Sequence, residues 1–280
     1  MVGWGNGDVP GGVPRVSART APGLAIDDGG VKQGGKSGQG ANIPVLFLHS
    51  FAGDTTHWAP QLAHLRRDRR AVAFDFSGHG ASRLARAREY SIRTLILDVE
   101  TVVDACHLDE FILVGHSMGA AVAAGFAASH PENVVGLLLV DPPPVPGALP
   151  AAQVRLIVAA VAADPYGFVE QYWNTQLLVN SSVAVKEKLL QGLRRLPRDV
   201  LVQLTTDLFH YDPVPLLSHY SGPTLAVVTP ENDTSASLHK AVPDIDHVVV
   251  PGTGHWIHLD KPAEFTRILD EFIARVQRGA

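Results

Sequence analysis

Gly115-His116-Ser117-Met118-Gly119 constrains this chain more than any other stretch. It follows directly on the apolar run Phe111-Ile112-Leu113-Val114 and leads into the small-residue run from Ala120 to Ala128. An apolar run, a turn with glycine at both ends and a small-residue helix read as strand, sharp turn and helix. The glycines let the backbone reverse tightly and let the helix lie close on the strand. The turn is strained and lifts the serine side chain above the sheet. The helix that starts at the serine aims free backbone N–H groups and its positive end at any negative charge developing there. A serine so placed has the setting of a nucleophile elbow.

The rest of the chain repeats the strand–helix alternation. Buried strands are expected at Val45–Leu48, Ala71–Phe74, Phe111–Val114, Val135–Val140, Leu225–Val228 and Val248–Val250. Their near-continuous hydrophobicity indicates a sheet covered on both faces. Helices are expected at Thr56–Leu65, Ile92–Cys106, Ala120–Ser129 and Pro262–Gln277. Such alternation implies an α/β fold with a doubly wound, mostly parallel sheet. At 280 residues and 46% hydrophobic, the chain can bury one large core.

Two segments break the pattern. Residues 1–42 are rich in glycine (Gly29-Gly30, Gly34-Gly35, Gly38, Gly40) and read as a partly flexible segment, with a weak hairpin at Arg15–Ala18 and Leu24–Ile26. Gly34-Gly35-Lys36-Ser37 lacks the spacing and the preceding strand of a phosphate loop. Residues 142–221 open on Pro142-Pro143-Pro144 and carry helical stretches near Ala151–Ala163, Tyr166–Leu178, Val183–Leu193 and Arg198–Phe209. Inserted after the sixth strand, they are expected to form a helical cap over the strand ends, leaving 43–141 and 222–280 as the core.

Composition excludes several classes. The formal net charge of −5 and scattered basic residues give no footprint for nucleic acid. Cys106 is the only cysteine, so no intrachain disulfide can form and no thiolate metal site is suggested. No segment is apolar for long enough to span a bilayer, and no secretory leader is evident. The expected setting is cytoplasmic, as a monomer or homodimer, with a small-molecule substrate and no membrane partner.

A serine hydroxyl needs a base to take its proton and a carboxylate to orient that base. Among 13 histidines, His255 stands out: Gly252-Thr253-Gly254-His255-Trp256 lies between the last expected strand and the final helix. His258 is its backup. The carboxylate should follow a strand end between serine and histidine. Asp233, after Leu225–Val228, is the expected acid, with Glu231 and the proline-flanked Asp141 competing. Backbone N–H groups of Met118 and Phe51 would form the oxyanion hole. Trp58, Trp173, Phe209 and Trp256 are expected around an apolar pocket.

These residues resemble the α/β-hydrolase fold family from about Ile43 onward. Leu46-Phe47-Leu48-His49 looks like its first core strand and oxyanion turn, although Ser50 stands where His-Gly is usual. Asp75-Phe76-Ser77-Gly78-His79-Gly80-Ala81-Ser82 resembles its D-x-x-G-H-G-x-S loop, and Gly254-His255-Trp256 with Lys261-Pro262 its catalytic-histidine ending. The resemblance implies the order serine, acid, histidine. It also implies a serine hydrolase acting on carboxylic esters of small to medium apolar or aromatic substrates, with no metal or organic cofactor. The alternatives are a carbon–carbon hydrolase of a diketone-type ring-cleavage product, a lactonase or perhydrolase, and a non-catalytic capped ligand-binding protein.

Overall fold

A computed structural model describes residues 20–21, 23–31, 42–84 and 89–279. The expected glycine turns at 34–40 and the hairpin arm at 15–18 lie outside these residues. In chain order, the sheet strands are β1 (Thr20–Ala21), β2 (Leu24–Gly30), β3 (Val45–Leu48), β4 (Arg70–Phe74), β5 (Phe111–His116), β6 (Val134–Val140), β7 (Thr224–Val228) and β8 (Asp246–Val249). They lie in the order β1-β2-β4-β3-β5-β6-β7-β8. β1 and β2 run antiparallel to their neighbours, and all pairs from β4 to β8 are parallel. Gly29 and Gly30, expected in a loop, pair in β2 with Ala71 and Arg70. Segment 1–42 therefore contributes β1 and β2 to the sheet, and the glycines had hidden the register of β2.

Side chains alternate across the sheet with period two. Val45, Phe47, Ala71, Ala73, Ile112, Val114, Leu138, Val140, Leu225 and Val227 fill one layer. Leu46, Leu48, Val72, Phe74, Leu113, Leu137, Leu139, Ala226 and Val228 fill the other. Both faces are apolar because helices cover both. On the first face lie α1 (Ala59–Leu65) and the C-terminal helix Pro262–Gly279, which buries Phe265, Ile268, Leu269, Phe272, Ile273 and Val276 at helical spacing. On the second lie α2 (Ile92–Cys106) and α3 (Met118–Ser129). A capping box between Ser91 and Thr94 starts α2, and His107 in the left-handed region ends it. β8 departs from expectation: Val248 and Val249 are 36% and 37% exposed, because this strand is the sheet edge.

Between β6 and β7 the chain forms α4 (Ala151–Ala163), α5 (Pro165–Tyr172), a π-helical turn at Trp173–Leu177, α6 (Val183–Arg195), α7 (Arg198–Leu208) and α8 (Val214–Leu217). Lys188 on α6 donates to the Thr56 carbonyl (2.8 Å), and Tyr90 N–H donates to Gln203 on α7 (3.0 Å). These bonds tie the inserted helices to loops at the carboxyl ends of the strands, where ligands of open α/β sheets bind. Among the described residues, no helix is long and apolar enough to cross a membrane.

Candidate active site

Ser117 sits between β5 and α3 at φ +54°, ψ −117°. A non-glycine residue held there costs about 1–3 kcal/mol and needs surrounding structure to impose it. Ser117 N–H donates to the Val140 carbonyl of β6 (2.9 Å), and the Ser117 carbonyl accepts from Ala120 (2.8 Å) and Ala121 (3.2 Å). The flanking glycines are steric requirements. A Cβ on Gly115 would collide with the Gly119 carbonyl, and one on Gly119 would stand 2.5 Å from the His49 carbonyl oxygen. Close approach of α3 to the end of β3 thus sets Ser117 beside the His49–Gly53 turn.

That turn is built differently from a His-Gly turn. The left-handed residue is Ala52 (φ +54°), and Ser50 is buried. His49 receives Phe76 N–H on Nε2 (3.0 Å), so its Nδ1 carries the proton and donates to the Ser50 carbonyl (2.7 Å). Burial lowers the His49 pKa and keeps the ring neutral in this bridging role, against the opposing pull of Asp75. Ser50 Oγ receives the indole N–H of Trp256 (3.1 Å). Neither Phe51 N–H nor Met118 N–H donates to a protein acceptor among the described residues.

His255 meets a carboxylate, and it is Asp141. His255 Nδ1 lies 2.6 Å from Asp141 Oδ2, with the carboxyl 2% exposed. Asp141 follows β6 directly, at φ +41°, and its N–H bonds to the Val227 carbonyl of β7 (2.8 Å). Its other oxygen, Oδ1, accepts Thr229 N–H (2.9 Å), Thr229 Oγ1 (3.2 Å) and Asn232 Nδ2 (3.1 Å). Asn232 Nδ2 also donates to the Pro142 carbonyl (2.8 Å). Four donors on two oxygens satisfy a carboxylate withdrawn from water.

Asp233, the expected acid, is not at His255. Its Oδ1 lies 3.0 Å from His239 Nε2 and 3.0 Å from Lys240 Nζ, and these two neighbours hold its carboxyl below the usual range. Glu231 is exposed on the Pro230–Asn232 turn. The turn after β7 presents Asn232 instead, and Asn232 donates to Asp141 at the end of the neighbouring strand. The proline after Asp141 suggested a mere turn former; it lies just beyond a strand end that adjoins the serine strand. Sequence reasoning missed Thr229 and Asn232 because their role exists only when β6 and β7 are neighbours.

The other expected residues divide. Trp173, buried in the cap, packs edge-on to Trp256 (ring centroids 4.8 Å) and to Phe51 (6.5 Å). Trp58 belongs to the opposite core layer, stacked on His258 (4.1 Å) and against Phe47 (4.9 Å). It is fully buried among the core side chains of that layer, where the Thr55–Trp58 turn carries its ring. Phe209 ends α7 half-buried, and among the described residues no ring contact joins it to Phe51, Trp173 or Trp256. His258 is fully buried, and burial pushes its pKa well down. It packs, and of the two histidines it is His255 that meets a carboxylate. His116 Nε2–H donates to the His255 carbonyl (3.0 Å), linking the elbow to the histidine loop. Asp75 and Ser82 serve loop backbone: Asp75 accepts Thr55 and Ala81 N–H (both 2.7 Å), and Ser82 receives Ala25 N–H (2.9 Å).

Asp233, His239 and His247 bring three ligand atoms within 4.8 Å of one another. The Lys240 ammonium on the same Asp233 oxygen already supplies the cation there.

A sequence profile of the alpha/beta hydrolase family matches residues 45–268. The sn-1-specific diacylglycerol lipase ABHD11 of Mus musculus is 27% identical over 257 residues, covering 84% of this chain and 82% of that protein. A putative 2-succinyl-6-hydroxy-2,4-cyclohexadiene-1-carboxylate synthase of Bacillus subtilis is 24% identical, covering 90% and 98%. A thermophilic esterase from Thermogutta terrifontis superposes with a TM-score of 0.75 at 24% identity, covering 94% and 98%. A profile spanning strands β3 to β8 and the first turns of the final helix, on a sheet with a strained serine turn after β5, makes the assignment: this chain belongs to the alpha/beta hydrolase family.

Proposed function

We propose that the protein is a serine hydrolase that cleaves carboxylic esters of small to medium apolar or aromatic substrates through Ser117, His255 and Asp141. The observation that carries this reading is the 2.6 Å contact of His255 Nδ1 with the buried Asp141 carboxylate, beside a serine in strained backbone. With Nδ1–H held by Asp141, His255 presents a bare Nε2, the tautomer a general base needs. His255 takes the Ser117 proton as Oγ attacks the ester carbonyl. Met118 and Phe51 N–H groups bind the resulting oxyanion, and His255 then protonates the departing alcohol. Water, activated by the same histidine, releases the acid and restores Ser117. Phe51, Trp173 and Trp256 give the acyl or alcohol group an apolar wall. The names of the relatives span lipase, esterase and synthase, which fits one constellation serving several bond types.

The test is hydrolysis of a p-nitrophenyl ester series, with Ser117→Ala as control and a fluorophosphonate as covalent probe. Turnover and labelling that both vanish in Ser117→Ala support the reading. Wild-type labelling without ester turnover moves the activity to a lactone or carbon–carbon substrate. Neither labelling nor turnover in folded protein overturns it in favour of a binding protein.

A further inference from the structure

The histidine loop is held from the cap as well as from the sheet. Two contacts from the inserted helices reach residues 253–255 directly, and a third reaches them through Asp260. His255 N–H donates to the Leu177 carbonyl (2.8 Å), the last residue of the π-helical turn. Gly254 N–H donates to Asp260 Oδ2 (2.8 Å), and the same oxygen accepts Ser181 Oγ from the cap (2.8 Å). Asn180 Nδ2 reaches the Thr253 carbonyl (3.3 Å). The packing leaves no slack. A Cβ on Gly254 would lie 2.5 Å from the Leu177 oxygen and would also run into Ser181 Oγ. Trp173, at the start of the π turn, presses on Trp256, the residue after the base. π turns frequently occur at functional sites, since they offset the carbonyls that follow. Here the offset delivers the Leu177 oxygen to the His255 amide.

Resting on the reading of His255 as the base, we propose that Asp260, braced by Ser181, is a positioning residue for that histidine. Its single oxygen Oδ2 clamps the Gly254 amide to the cap hydroxyl, so the cap sets where the imidazole stands between Asp141 and Ser117. Neither residue touches substrate; both act through the loop. Burial raises the Asp260 pKa, against the Ser181 and Gly254 bonds that favour its charged form. A carboxylate kept in such a place needs both donors.

The experiment compares wild type with Asp260→Ala, Asp260→Asn and Ser181→Ala. It reads kcat and KM on a soluble ester, thermal midpoint, and the NMR signal of isotope-labelled His255 assigned with His255→Gln. Displacing the base should lower kcat by about tenfold in Asp260→Ala and about threefold in Ser181→Ala, with KM within about twofold. The His255 signal should shift in both. Asp260→Asn keeps a carbonyl acceptor and should recover most of kcat. Folded alanine variants with wild-type kcat and an unmoved His255 signal overturn the proposal. If Asp260→Ala does not fold, Ser181→Ala decides it alone. If the wild type hydrolyses no ester, the activity reading fails, while the His255 signal still decides the clamp.

Discussion

Asp141→Asn tests the carboxylate that meets His255 against the one expected there, and the structure dictates which way the amide must face. Oδ1 of Asp141 meets three donor contacts, from Thr229 N–H, Thr229 Oγ1 and Asn232 Nδ2. An asparagine there must turn its carbonyl oxygen toward them and its NH2 toward His255 Nδ1. The amide then donates where the carboxylate accepted. His255 Nδ1 becomes an acceptor, its proton moves to Nε2, and the ring faces Ser117 as a donor that cannot take a proton. Loss of the correct tautomer in a serine triad costs about 10⁴-fold in kcat, equivalent to about 5 kcal/mol of transition-state stabilisation. The substitution is nearly isosteric, so the protein should still fold and bind ester. Asp233→Asn should leave kcat within about twofold, because its carboxylate serves His239 and Lys240 and makes no contact with His255. The assay is steady-state hydrolysis of a p-nitrophenyl ester, paired with the rate of Ser117 labelling by a fluorophosphonate. An Asp141→Asn enzyme within about tenfold of wild type, or a larger loss in Asp233→Asn, refutes the reasoning.

Other outcomes follow from the packing. Gly119→Ala puts a methyl 2.5 Å from the His49 carbonyl and 2.6 Å from that of Leu48; overpacking of this kind costs about 1–3 kcal/mol, visible as a lowered urea midpoint together with lost activity. Arg70 forms a bidentate pair with the fully buried side chain of Asp28 (2.9 Å to each oxygen). Arg70→Ala should destabilise by about 3–5 kcal/mol by removing the bidentate partner of a buried carboxylate, lowering the melting temperature by roughly 10 °C; a shift of under about 3 °C would refute it. Burial lowers the pKa of both His57 and His79 from 6.5 to about 3. Above pH 6.5 they are neutral folded or unfolded; below it the unfolded chain takes up protons that the folded one refuses, so stability falls as pH drops toward 3. At pH 5 each contributes a loss of about 2 kcal/mol. Asp98, raised to about 6 mainly by burial, works in the opposite direction between pH 6 and 3.8 but is one group against several histidines. Urea midpoints measured from pH 7.5 to 5 should decline, and a flat profile would contradict these assignments.

Local physics made much of this protein legible from sequence. The strand Val45–Leu48 and the helix Ile92–Cys106 match their expected bounds, because an apolar run of four residues and an amphipathic stretch bounded by a capping serine specify themselves. The strained turn at Ser117 announces itself because only glycine tolerates the approaches made at 115 and 119. The seat of His255 is likewise marked by its glycines. Pairings between distant segments were not legible. The Gly29-Gly30 strand, the exposed edge at β8, the placement of Trp58 beneath the sheet and the clamp at Asp260 all depend on which element lies beside which. The acid is the sharpest case. Asp141 and Asp233 both follow parallel strands, and the sequence pointed to Asp233 with Asp141 competing. Adjacent strand ends stand one sheet spacing apart (about 4.8 Å), and side-chain direction is set by a backbone turn that only packing imposes. The positive φ at Asp141 and the donors on Thr229 and Asn232 send its carboxylate to His255, while Asp233 turns away to His239. Sequence marked a serine turn and a histidine loop at the ends of parallel strands; the tertiary structure decided which carboxylate meets that histidine, because that choice is made by hydrogen bonds between residues about ninety positions apart.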